Sequence, residues 1–158
     1  MKKLLILSLF TFSLVGCAST PSETPNTVQE TIHYSSSPCF GACPIYSVEI
    51  SPSGTVNFNG KQYTKVTGTQ TLTIDPSVYK KLQQELKTYR PETGANVKTI
   101  GCQQTATDQP SAYFVWIRPD GTTTKLSHYI GCISPANIEL NKLIDKLPKL
   151  IGIEDLVR

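Results

Sequence analysis

Five cysteines carry the chemistry open to this sequence: Cys17, Cys39, Cys43, Cys102 and Cys132. A cysteine can serve as nucleophile, metal ligand or half of a disulfide, and spacing helps to separate the three. Structural zinc sites usually draw two ligands from each of two Cys-x₂₋₄-Cys units. Cys39-x₃-Cys43 supplies one unit, but 29 residues lie between Cys102 and Cys132, so no metal site is expected. A thioredoxin-type redox centre needs Cys-x-x-Cys at a helix start. Here three residues intervene and a strand pattern follows. Structural bridges are therefore expected, with thiol or redox chemistry at Cys39 and Cys43 as the alternative. Other reactive groups are sparse. The only histidines are His33 and His128, and no serine or acid stands at a spacing that ties either to a triad. No phosphate loop is present, and no cofactor is expected.

Cys17 belongs to a different pattern. Lys2 and Lys3 precede an apolar run from Leu4 to Val15, which ends in Leu14-Val15-Gly16-Cys17. A basic start, a short charge-free stretch and a small residue before the cysteine are similar to a bacterial lipoprotein signal. The run is too short for a bilayer span, which takes roughly 20 residues. Residues 1–16 are thus expected to be removed and Cys17 to carry lipid. More than one acyl chain anchors stably, at about 0.8 kcal/mol per buried CH₂. Ala18, in place of an aspartate, points to the outer membrane and a periplasm-facing domain. Residues 17–31 are rich in Ser, Thr and Pro and read as a flexible tether. Residues 32–158 remain as one domain. The chain has 15 basic and 12 acidic residues; without Lys2 and Lys3 the balance is close to neutral. No basic stripe suggests nucleic acid.

The elements that must position the cysteines follow from a repeat. Tyr46 to Thr55 reads Y-x-V-x-I-x-P-x-G-T, and Tyr113 to Thr122 reads the same. Alternation marks a strand, and Pro-x-Gly marks the turn of a hairpin. In the first hairpin Ile50 faces Val56 and Val48 faces Phe58. The same register in the second sets Val115 against Lys125 and Tyr113 against Ser127, which leaves its buried face undecided. Asp75-Pro76 and Ser134-Pro135 are helix starts. The first helix gathers Tyr79, Leu82, Leu86 and Tyr89 on one side. The second gathers Leu140, Leu143, Ile144 and Leu147, and Pro148 is expected to stop it. With a strand at 69–74 the order is β-β-β-α-β-β-α. The expected fold is α+β: an antiparallel sheet of about five strands with two helices on one face.

Cys102 precedes the strand at 112–118, and Cys132 follows the strand at 123–130. Those ends are neighbours in an antiparallel hairpin, so Cys102 pairs with Cys132 and Cys39 with Cys43. Strand 112–118 is apolar on both faces. One face must meet the helices. Phe114 and Trp116 could form an open aromatic binding face; alternatively they are a core pair and Tyr113 points outward.

Cys39-Phe40-Gly41-Ala42-Cys43-Pro44-Ile45-Tyr46, with Gly54-Thr55-Val56, Gly60, His128-Tyr129 and Pro135, resembles a bacterial domain family of unknown function (domain of unknown function 6438). Many of its members look like lipoproteins, and the family has no assigned activity. The resemblance implies that the first cysteine pair belongs to a shared core and the second is an elaboration. The family's more usual tryptophan in the last residues is absent here. The leading expectation is a non-enzymatic lipoprotein. It would bind or scaffold another envelope protein or a ligand, with the membrane reached through the N-terminal lipid. A thiol protein and, by fold analogy, a small periplasmic hydrolase inhibitor are the alternatives.

Overall fold

The structure is a computed structural model and describes residues 29–158. The expectations for the leader and for lipid on Cys17 lie outside the described residues, as does most of the tether. Strands β1 (Thr31–Ser36), β2 (Ile45–Ile50), β3 (Thr55–Gln62) and β4 (Gly68–Thr73) precede helix α1 (Pro76–Leu86). Then come β5 (Asn96–Lys98), β6 (Ser111–Ile117), β7 (Thr123–Tyr129), α2 (Pro135–Leu150) and the short α3 (Glu154–Val157). The strands form a single seven-stranded sheet in the order β4-β3-β2-β1-β6-β7-β5. All neighbours are antiparallel except β5 and β7.

The class is α+β, but the sheet has seven strands instead of about five. The two unforeseen strands have physical reasons for being hard to see. β1 opens directly from the Ser/Thr/Pro stretch and has only Ile32 and Tyr34 facing inward. β5 is three residues long with one apolar side chain, Val97. The domain also starts earlier than residue 32: Glu30 is buried and β1 begins at Thr31.

Inward-facing strand residues pack with Tyr79, Leu82 and Leu86 of α1 and Leu140, Ile144 and Leu147 of α2 in one core. A row of rings crosses that core. Phe58, Tyr46, Tyr34, Phe114 and Trp116 follow one another with centroids 5.1–5.8 Å apart.

Both hairpins hold the register of their turns: Ile50 pairs with Val56, and Val115 pairs with Lys125. They nevertheless bury opposite faces. β1 lies between them, and Ile32 pairs with Ile50 on one side and with Trp116 on the other. The repeat would match Ile50 with Ile117, so the second copy sits one residue out of step. A one-residue step exchanges the two faces of a strand. Phe114 and Trp116 are consequently core residues, each 1% exposed. The reading of them as a binding face is overturned, and Tyr113 points to the open side.

The helix ends differ from expectation in two details. Asp75 caps α1 by accepting from the Ser77 N–H at 2.7 Å, and hydrogen bonding to the Ser77 hydroxyl and N–H holds its carboxyl below the usual range. Ser134 takes the N-cap position of α2 with Pro135 after it, as expected, but its side chain makes no cap bond; its hydroxyl donates to the Gly101 carbonyl at 2.8 Å instead. Pro148 does not stop α2. It is buried in the last turn, and the helix runs on to Leu150. Proline removes its own N–H from the ladder and crowds the carbonyl one turn back; so close to the helix end few bonds are at stake, and the next residues close the helix by Ile151 N–H to Leu147 O.

Candidate functional site

The sheet has two unlike ends. At one, the chain enters β1 beside Ile117, and the hairpin turns at 51–54 and 118–121 cluster around it. Glu30 is pinned here. Its carboxylate accepts from Arg90 Nε at 2.9 Å and Nη2 at 2.5 Å, and Arg118 Nε stands at 3.5 Å. Tyr79 donates its hydroxyl proton to the Glu30 carbonyl. Arg90 also lies 5.9 Å over the Trp116 ring.

At the opposite end lie three connections: the Cys39–Cys43 loop, the β3–β4 connection at 63–67, and the segment before Ser111. The first disulfide closes a five-residue ring, Cys39 to Cys43. Gly41 takes φ +140° within it, a backbone open mainly to glycine. Phe40 is 88% exposed at the tip, and its N–H donates to the Asp108 carbonyl at 3.1 Å. Tyr63, 52% exposed, lies in the β3–β4 connection. Among the described residues only Tyr63 (φ 55°) and Asp108 (φ 65°) hold positive φ without being glycine. Both are at this end. Such residues store strain of order 1–3 kcal/mol and concentrate where function needs a fixed shape.

Beside the Phe40 loop lies a cavity of about 290 Å³ with Tyr34, Tyr46, Cys43, Pro44, Asp145 and Arg158 in its wall. Burial pushes the Tyr34 hydroxyl up to about 12 and raises that of Tyr46 as well. Both phenols are therefore neutral near pH 7 and can donate or accept hydrogen bonds without acting as bases. Arg158 and Asp145 pair at 2.8 Å at the rim, where both are largely in water. The arrangement can hold an apolar group and orient it with a few polar contacts.

Residues 30–150 match the family described as Domain of unknown function (DUF6438). The chain belongs to this family. No curated protein matches it. The DUF6438 domain contains both bridges, with Cα atoms 5.9 Å apart at Cys39–Cys43 and 5.4 Å apart at Cys102–Cys132. The second ties the segment after β5 to the start of α2, where Thr105 also bridges to Cys132.

His128 is buried in the DUF6438 core. Its Nε2 is 2.7 Å from Asn141 Oδ1, and Asn141 Nδ2 donates to the Ile130 and Cys132 carbonyls. Burial lowers its pKa, so the ring is neutral and serves as a strut. His33 faces the open side of the sheet opposite Glu49. Among the described residues no three His, Cys, Asp or Glu side chains converge as a metal site would require. Sequence reasoning missed Glu30, Arg90, Arg118 and Tyr63. The first was hidden by its polar neighbours, and the others carry no motif.

The bridges should differ in weight. In the chain-entropy picture, closing about 30 residues stabilises by roughly 3–4 kcal/mol and closing about five by roughly 2. Thermal melts of Cys102→Ser and Cys39→Ser should rank in that order; equal or reversed losses would contradict it.

Proposed function

We propose that this protein is a non-enzymatic, periplasm-facing lipoprotein that binds an envelope protein through the Phe40 end of its sheet. One observation carries the reading: an aromatic side chain is 88% exposed on a loop closed by its own disulfide. Exposing a large aromatic ring has a cost in water, and ordering a loop costs entropy. A bridge that prepays the ordering makes the ring a ready anchor for a partner's apolar pocket. The cavity under Tyr34 and Tyr46, whose wall includes Cys43 and Pro44, adjoins the loop, and the exposed Tyr63 lies at the same end of the sheet. A lipid on Cys17, through a tether running to Glu30, attaches at the other end and leaves this surface unobstructed. Cys17→Ser should move the chain from the membrane to the soluble envelope fraction; retention at the membrane would remove the anchor from the reading.

The partner is tested with a photo-crosslinking residue at position 40 in intact cells, and at position 120 as the control on the opposite end. Discrete adducts are expected from 40 and none from 120. With the crosslinking residue moved to the exposed Ala42 of the same loop, Phe40→Ser should cut capture by at least tenfold, as loss of a hot-spot aromatic does. Its melting temperature should stay put because the ring touches little. Capture that survives Phe40→Ser would overturn docking through this ring, and capture trapped as a mixed disulfide on Cys43→Ser would replace it with thiol chemistry.

A further inference from the structure

The two edges of the sheet are built differently. β5 ends one edge with three residues including Lys98, and then turns away into the loop that carries Cys102. β4 ends the other with six residues in unbroken register with β3, from Gly60↔Gly68 to Thr55↔Thr73. Natural edge strands are usually blunted by shortness, charge, proline or a bulge. β4 has none of these. No charged residue and no proline occurs from Val66 to Ile74. Every β4 residue is exposed except Leu72, which is half-buried. Among the described residues β4 pairs with β3 alone.

The direction of its free backbone groups follows from the ladder. Ile74 N–H donates to Gly54 O at 2.9 Å. Alternation in an antiparallel pair then turns Leu72, Gln70 and Gly68 toward β3, and Thr69, Thr71 and Thr73 outward. Three N–H and three C=O groups thus face away from the sheet.

We propose that this edge pairs with β4 of a second copy of the chain, antiparallel, about a two-fold axis at Thr71. In that register Thr71 meets its own copy, Thr69 meets Thr73 of the second chain, and Leu72 meets Gln70. About six backbone hydrogen bonds join the two sheets into one. The cross-strand neighbours on the outer face are all threonines, a favourable pairing, and no like charges oppose each other. A foreign peptide strand is recognised by pockets for its alternate side chains. β4 offers Thr and Gln side chains beside Asn57, and none of these residues belongs to the cavity under Tyr34 and Tyr46. The self-complementary, uncharged edge therefore suits a copy of itself. The two-fold rotation puts the two Phe40 loops at opposite ends of the joined sheet, so the dimer presents two docking ends.

The test uses the full chain in detergent, followed by sedimentation equilibrium over a range of concentrations. The parent should dimerise. Thr71→Lys, which sets two ammonium groups face to face, should weaken the dimer at least about tenfold while circular dichroism stays that of the parent. Thr71→Cys should give an inter-chain disulfide on mild oxidation, and Asn57→Cys, one strand further in, should not. The crosslink decides the matter if Thr71→Lys fails to fold. A parent that is monomeric at every concentration overturns the proposal. So does a dimer untouched by Thr71→Lys, or equal crosslinking at position 57.

Discussion

Replacing Trp116 by Ala is expected to remove about 3–5 kcal/mol of folding stability, the usual cost of emptying a buried aromatic site. Trp116 is 1% exposed near the C-terminal end of β6. Its ring lies 5.8 Å from Phe114 and beneath Arg90. Removing it opens a void between the end of the aromatic row and the Glu30 cluster, where neighbouring rings cannot collapse without leaving their rotamers. Urea unfolding followed by far-ultraviolet dichroism measures the loss. A variant that stays within about 1 kcal/mol of the parent would show that Trp116 does not fill a packed core site. Domains of this size carry about 5–15 kcal/mol in total, so the substitution alone brings the protein near its threshold.

Glu30→Gln should cost about 2–4 kcal/mol, a large effect for a residue at the very start of the domain. The carboxylate is nearly buried, whereas the side chains of Arg90 and Arg118 keep 22% and 30% of their exposure. Breaking a buried pair leaves charge without compensation, at about 3–5 kcal/mol; residual contact of the guanidinium groups with water reduces that range here. A double-mutant cycle with Arg90→Gln should show coupling well above 1 kcal/mol. Near-zero coupling would mean that the cluster is only a surface contact. The same variant should open the peptide bonds around Glu30 to proteolysis, because Tyr79 and Arg90 hold that residue in place.

The Glu30 result bears on what can be read from residues alone. Local rules worked where one strong pattern met one short-range partner. The Pro-Ser-Gly turn set the register of the first hairpin, Asp75-Pro76 set the start of α1, and hairpin ends brought Cys102 beside Cys132. Each of these depends on residues near in sequence or on a single pairing step, so alternation and turn chemistry suffice. Strand 112–118 was different. With apolar side chains on both faces it carries no phase of its own. Its inward side was decided by β1, a strand far away in sequence that pairs with β2 and β6 and steps the second hairpin by one residue. β5 exists only because β7 offers it an edge, and three residues hold too little pattern to announce that. Glu30 looked like tether because its value lies in two arginines 60 and 88 positions away. Sequence by itself thus determined the hairpins, the helix starts and the bridges, whose causes are local. Tertiary structure alone decided which face is buried, where the domain begins and which aromatic reaches solvent. Those outcomes depend on long-range pairing and on burial, which no window of the chain contains.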